Sequence, residues 1–137
     1  MTDISDIIDA FSYLSDWEDK YRYLIELGEG LDAFPDDCRT DAFKVEGCMS
    51  QVWLVTHFDG EQFTFKADSD ASIVKGLIAV ILACYNEKTP EQILDVNIDA
   101  IFHTLGLEMN LSPTRRNGFF SMVSKINELA KNQLSNS

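Results

Sequence analysis

The chain has 137 residues, of which 11 are Lys or Arg and 23 are Asp or Glu, so its net charge is −12 before histidine is counted. This charge argues against general binding to nucleic acids or to anionic membranes, since both repel an acidic surface. Hydrophobic residues make up 45% of the chain. That fraction is too high for a disordered acidic tail and is sufficient for one domain spanning residues 1–137.

The acidity is uneven, with a net charge of −9 in residues 1–41, −6 in residues 42–110 and +3 in residues 111–137. The N-terminal sequence MTDISDIIDA lacks the basic and apolar pattern of a secretory signal. The three cysteines, Cys38, Cys48 and Cys84, form no CxxC pair. We therefore expect free thiols and a cytoplasmic protein.

The first 30 residues predict two helices. One is indicated by apolar residues at helical spacing between Ile4 and Leu14. The second is expected to begin at a capping box, in which Ser15 caps the helix and Glu18 reaches back to it. Gly28 and Gly30 are expected to end it, and residues 29–42 then read as a loop with turn chemistry.

The central region predicts three antiparallel strands. A short strand is expected over Phe43–Glu46, a second over Gln51–Phe58 and a third over Gln62–Lys66. The second is rich in β-branched and aromatic residues. Asp59-Gly60 predicts a two-residue hairpin turn between the last two strands.

The remaining sequence predicts helices. Residues 72–85 are apolar nearly all round, which is typical of a buried central helix, and Ser69 or Asp70 is expected to cap it. Later helix starts are indicated by Thr89-Pro90, by Asn97 or Asp99, and by Ser112-Pro113, and the tail after Ala130 is expected to fray. The predicted fold class is therefore α+β, a small three-stranded antiparallel sheet flanked by several helices.

Cys48 is the most distinctive candidate for chemistry. It follows Gly47, which permits a tight turn that could present the thiol. A small apolar residue buried at a strand end is the alternative interpretation. No Lys, Arg or His flanks Cys48 closely, so the local sequence offers nothing to lower the pKa of the thiol.

Two other chemistries stay open at this stage. The three cysteines with His57 and His103 could form a metal or iron–sulfur site, although paired ligand spacing is missing. A thiol hydrolase would need one of these histidines close to Cys48. Arg115, in the first turn of the last helix, is unfavourable for the helix dipole and could serve an interface or an anionic group.

Four blocks in chain order resemble the SufE family of sulfur-acceptor proteins, which includes CsdE. The segment 47–53, GCMSQVW, closely resembles the GCxSQVW motif of that family. Three further segments are similar to other blocks of the family. Its N-terminal block is matched by Trp17–Tyr21 with Ile25–Gly28. Its second block is matched by Asp68–Ala71 with Ile73–Ala79, and its third by Leu111–Gly118.

This resemblance implies an α+β fold and a role in iron–sulfur cluster assembly. A SufE-like protein accepts persulfide sulfur from a pyridoxal-phosphate cysteine desulfurase of the SufS or CsdA kind. It stimulates that enzyme and passes the sulfur to a downstream scaffold or acceptor. The resemblance implies no bound cofactor and no stand-alone enzyme, and it does not separate the SufE branch from the CsdE branch.

The motif match assigns the persulfide to Cys48, with Gly47, Gln51 and Trp53 as neighbouring motif residues. Arg115 matches the family arginine, which would stabilise the Cys48 loop or meet a partner carboxylate, and Asp70 would tune docking or cap a helix. An exposed persulfide is vulnerable to stray thiols and oxidants. We therefore expect an apolar pocket formed by Val52, Trp53 and the helix over residues 73–82.

Overall fold

A computed structural model of the chain describes residues 3–47 and 50–136. In these residues helices surround one antiparallel hairpin. The strands are β1 (Val52–Phe58) and β2 (Phe63–Ser69), and the helices are α1 (Ile4–Ser12), α2 (Trp17–Glu29), α3 (Ser72–Tyr85), α4 (Pro90–Asp95), α5 (Ile98–Thr104), α6 (Leu107–Asn110) and α7 (Pro113–Ser135).

The two predicted N-terminal helices are confirmed, but their boundaries differ in detail. The cap of α2 is Asp16, not Ser15, because its carboxylate accepts a hydrogen bond of 2.9 Å from the Asp19 main-chain N–H. Gly28 lies inside α2 and does not end it. The helix ends at Gly30, whose φ of −86° is not left-handed.

Helix α3 is the centre of the hydrophobic core and crosses α2 at very close range. A Cβ atom on Gly76 would lie 2.1 Å from the carbonyl oxygen of Leu24, and one on Gly28 would lie 2.7 Å from the Gly76 nitrogen. Two backbones can approach this closely only where side chains are absent. The contact explains why Gly28 lies within a helix despite the low helix propensity of glycine.

Strands β1 and β2 form a regular antiparallel hairpin beside α3. They pair in register from Val52 opposite Ser69 to Phe58 opposite Phe63. Phe63, Phe65 and Ala67 of β2 are buried and share the face that packs on α3. The hairpin therefore contributes one apolar face to the core.

Residues 59–62 connect the strands, and the Asp59 N–H donates to the Gln62 carbonyl at 3.2 Å, which closes a tight hairpin turn in the predicted region. The Asp59 carboxylate also accepts hydrogen bonds from the main-chain N–H groups of Glu61 and Gln62, at 2.9 and 2.7 Å. An aspartate that binds main-chain groups two and three residues ahead stabilises a turn of its own.

The predicted third strand is wrong for the described residues, where the sheet has two strands. Asp41–Phe43 forms a single 3₁₀ turn, which removes the start of the expected strand. Beyond it, Lys44 makes one bridge to Trp53, and the Val45 N–H donates to the Val52 carbonyl at 2.9 Å. The left-handed φ of +88° at Gly47 then ends the pairing.

The C-terminal helices begin at the predicted capping residues. Thr89 and Gln92 form a reciprocal capping box on α4, Asn97 caps α5 and Ser112 caps α7. Helix α7 continues to Ser135, beyond the point where fraying was expected. No helix in the described ranges is both long enough and apolar enough to cross a bilayer.

Candidate functional site

Cys48 and Met49 lie outside the described residues, whereas the residues on both sides of them are placed. Gly47 has a φ of +88°, and a Cβ atom there would lie 2.5 Å from the Oγ atom of Ser121 on α7. The backbone therefore lies directly on α7 in a conformation that favours glycine. The sequence-based expectation of a glycine-dependent turn at Gly47 is confirmed.

On the other side, Gln51 and Asp70 bind each other through two hydrogen bonds. The Gln51 N–H donates to Asp70 Oδ1 at 3.1 Å, and the Asp70 N–H donates to the Gln51 carbonyl at 3.3 Å. These bonds extend the hairpin by one residue pair. The prediction that Ser69 or Asp70 caps α3 is wrong, because Ala71 holds the cap position without a side-chain hydrogen bond.

An apolar cavity of about 50 Å³ lies beside this end of the hairpin. Val52 contributes from β1, Leu77 and Ile78 from α3, and Phe119 and Met122 from α7. The sequence predicted the contributions of β1 and α3. It did not predict that of α7, because a contact between elements so far apart in sequence leaves no local pattern.

The polar part of the cavity lining includes Ser50, Thr114 and Arg115. Ser50 directly follows the two residues that are not described. Of the described residues that line the cavity, Arg115 alone is charged. Its main-chain N–H donates to the Ser112 cap, at 3.3 Å, and this bond fixes the first turn of α7.

Trp53 does not line the cavity, contrary to the expectation that it would join Val52 there. Successive strand residues point to opposite faces, and Trp53 shares its face with Asp68, its partner in the register. It is 9% exposed. Lys44 forms its bridge with Trp53, and Asp41–Phe43 packs against β1.

Arg115 and Arg116 have different surroundings. The Arg116 guanidinium donates through Nη2 to the carbonyl oxygen of Glu108, in the short helix before α7. Arg116 therefore connects α7 to α6, whereas Arg115 is exposed at the cavity. This arrangement favours Arg115 for contacts with other molecules.

A charged network that sequence reasoning missed lies on the outer face of the hairpin. Arg39 holds Asp68 through Nε and Nη2, at 2.9 and 2.8 Å, and Lys75 lies 3.6 Å from the other carboxylate oxygen. The Arg39 guanidinium also lies 5.3 Å from the ring centre of Phe34. The network ties the loop before β1 to β2 and to the start of α3.

The electrostatics of Asp68 follow from two opposing effects. Burial raises the pKa of its carboxyl group, but hydrogen bonds from Arg39 and from the Ser69 main-chain N–H outweigh this, with help from the charge of Lys75. The pKa of Asp68 is therefore below its ordinary value. Since Arg39 and Asp68 are 29 positions apart, no sequence motif links them.

The other two cysteines are poor nucleophiles. Burial raises the pKa of the Cys84 thiol to about 12. Cys38 is half-buried, and desolvation together with the charge and hydrogen bond of Asp37 raises the pKa of its thiol as well. Since the thiolate is the reactive form, neither thiol is activated at neutral pH.

The alternative chemistries gain no support from the described residues. No group of three or more His, Cys, Asp or Glu side chains converges there in a way that could hold a metal ion. His57 is an exposed residue of β1, and the His103 ring contacts Glu108. Neither histidine lines the cavity beside Ser50.

Comparison with known proteins settles the family. The SufE model, described as an Fe-S metabolism associated domain, matches residues 5–130. The chain belongs to the SufE family. An uncharacterized SufE-like protein of Rhizobium etli is 48% identical over 135 residues, which cover 96% of this chain and 91% of that protein. A second, from Rhizobium meliloti, is 45% identical and covers 98% of this chain and 99% of its own length.

A solved structure supports the fold. The solution structure of a hypothetical protein from Thermus thermophilus superposes with a TM-score of 0.76 and covers 96% of each chain. Its sequence is 17% identical, so this likeness concerns the fold alone. SufE membership associates the chain with iron–sulfur metabolism.

Proposed function

We propose that this SufE-family protein accepts sulfur on Cys48 from a pyridoxal-phosphate cysteine desulfurase of the SufS or CsdA kind. It stimulates that enzyme and delivers the sulfur to iron–sulfur cluster assembly in the cytoplasm. The observation that supports the proposal is that the described residues on both sides of Cys48 and Met49 are held in place, with Ser50 in the lining of an apolar cavity. Gly47 lies on Ser121 at one end, and Gln51 is bound to Asp70 at the other.

The proposed step is a thiol exchange that needs no oxidant. The Cys48 thiolate attacks the outer sulfur of the desulfurase persulfide, and a new S–S bond forms at Cys48. The S–S bond of the donor breaks, and the donor sulfur leaves as a thiolate with the electron pair. Cys48 must first lose its proton to solvent or to the partner.

Two features of the described site support this chemistry. The apolar lining from Val52, Ile78 and Phe119 disfavours water in the space next to Ser50 and would shield a persulfide there from competing thiols. Arg115 supplies a positive charge in the same lining, and a nearby cation favours a thiolate or persulfide anion. We propose that the apolar lining and the charge of Arg115 both act before the protein meets its partner.

The test is sulfur transfer measured by intact-protein mass spectrometry. The chain is mixed with a purified desulfurase and free cysteine, and we expect its mass to increase by one sulfur atom, reversibly with a reducing thiol. Cys48→Ser is expected to abolish the increase, whereas Cys38→Ser is the matched control and should retain it. Sulfur gained by the Cys48→Ser variant would refute the assignment.

A further inference from the structure

A second surface, which shares no lining residue with the cavity beside Ser50, has the properties of a docking groove. It lies between α1 and α2 and has a volume of about 490 Å³. Its apolar lining is formed by Ile7, Leu27, Leu31 and Ala79. We call this surface the acidic groove because of the residues at its polar side, described next.

Carboxylates and one aromatic ring form the polar side of the acidic groove. Asp6 projects from α1, Glu26 from α2, and Tyr23 lies in the same lining. Desolvation raises the pKa of the Tyr23 hydroxyl, and the charges of Asp6 and Glu26 raise it further. The Tyr23 ring packs edge-on against Phe11 with centroids 5.6 Å apart, which fixes its position.

The charge of the groove is not compensated within the described residues. None of the residues that line it is basic, and neither Asp6 nor Glu26 forms an ion pair there. Carboxylates beside an aromatic ring favour a Lys or Arg side chain, which gains both ion pairing and cation–π attraction.

The dimensions favour a peptide segment. The lining begins at Tyr23 within α2 and continues past the end of that helix to Leu31. An elongated groove with an apolar floor matches an amphipathic helix, which lays its apolar side chains into such a groove.

The acidic groove is separate from the proposed sulfur site. Ala79 of α3 lines the groove, whereas Leu77 of the same helix lines the cavity. Side chains two positions apart on a helix are rotated by about 200° around its axis and so point to opposite sides. Helix α3 therefore stands between the two surfaces, and both can be occupied together.

We propose that the acidic groove binds a basic amphipathic segment of a partner protein. Lys or Arg side chains of the segment pair with Asp6 and Glu26, and its apolar side chains cover the floor. The proposal does not depend on sulfur transfer at Cys48.

The probe is a synthetic helical peptide with one Leu face and a Lys and Arg face, titrated into the full chain at low salt. We expect methyl NMR shifts at Ile7, Leu27 and Leu31 and none at Ile78 in the cavity. A peptide of the same composition with a scrambled order should bind at least about fivefold more weakly, because it has no apolar face. Shifts confined to the cavity, or equal affinity of the two peptides, would overturn the proposal.

Charge variants test the same point by titration calorimetry. Asp6→Asn combined with Glu26→Gln should weaken peptide binding about fivefold, since each exposed pair contributes modestly. Glu61→Gln combined with Asp95→Asn removes the same charge from positions elsewhere in the fold and should leave affinity unchanged. Equal losses in both variants would show that only net charge matters and would refute a specific groove.

Discussion

Gln51 and Asp70 exchange two hydrogen bonds, one through the Asp70 carboxylate and one between main-chain groups. This pair is the last rung of the hairpin before the segment that contains Cys48. The side-chain bond is exposed and can be removed by a single substitution, which makes it a direct test of how firmly the chain is held at that point.

Asp70→Ala is expected to loosen the segment without unfolding the protein. Loss of one hydrogen bond should lower the local stability by about 1 kcal/mol, which corresponds to about fivefold faster hydrogen exchange at the Gln51 amide. We also expect faster alkylation of Cys48, measured by mass spectrometry of the digested protein.

Asp70→Asn is the matched control, because its amide oxygen can still accept the bond from Gln51. Its exchange and alkylation rates should stay close to those of the unmodified sequence. If Asp70→Ala behaves like Asp70→Asn, the side-chain bond does not restrain the segment.

Gly76→Ala is expected to disrupt the crossing of α2 and α3. The added methyl group would lie 2.1 Å from the Leu24 carbonyl oxygen, which is backbone and cannot move aside. We expect the free energy of unfolding in a denaturant titration to fall by about 3 kcal/mol or more.

Gly30→Ala makes the same chemical change where there is room. The nearest atom to its new methyl group is 3.5 Å away, and the φ of −86° suits alanine. Stability should be unchanged or rise by up to about 1 kcal/mol. Similar losses at both glycines would argue against a steric cause.

The pH dependence of stability should carry a contribution from Asp68. Its pKa is lowered in the folded state, so the stabilisation is complete above the unfolded value of about 3.9 and is lost as pH falls through the folded pKa. Arg39→Gln should raise the pKa of Asp68, observed by carboxyl NMR titration, and reduce the loss of stability on acidification.

Asp36→Asn is the matched control, because the Asp36 carboxylate pairs with Nη1 of Arg39, the guanidinium nitrogen that does not bind Asp68. The Asp36 side chain is almost fully exposed, so its removal should leave Asp68 with a lowered pKa. A carboxyl signal for Asp68 that titrates at its ordinary value in the unmodified protein would contradict the assignment.

Local chemistry allowed much of the fold to be predicted from sequence. The caps at Thr89, Asn97 and Ser112 were readable because each depends on neighbours within three residues. The hairpin strands and the apolar α3 were also readable from composition and period.

The errors came from interactions between distant segments. Asp70 lies at a position typical of a helix cap, but its carboxylate binds Gln51 across the hairpin. The expected strand at Phe43–Glu46 does not form, because a 3₁₀ turn precedes it and the turn at Gly47 ends the pairing. At the candidate site, the roles of Ser121 and Met122 depend on where α7 packs, which no local motif records.

One turn of α7 serves two neighbours at once. Phe119 and Met122 line the cavity, whereas Ser121 lies against Gly47. A mutation that enlarges any of these side chains therefore changes both the space beside Ser50 and the support of the loop. We expect substitutions in this turn to be small and correlated. Replacing the whole of α7 with that of a relative should therefore preserve the packing, whereas single replacements should disrupt it.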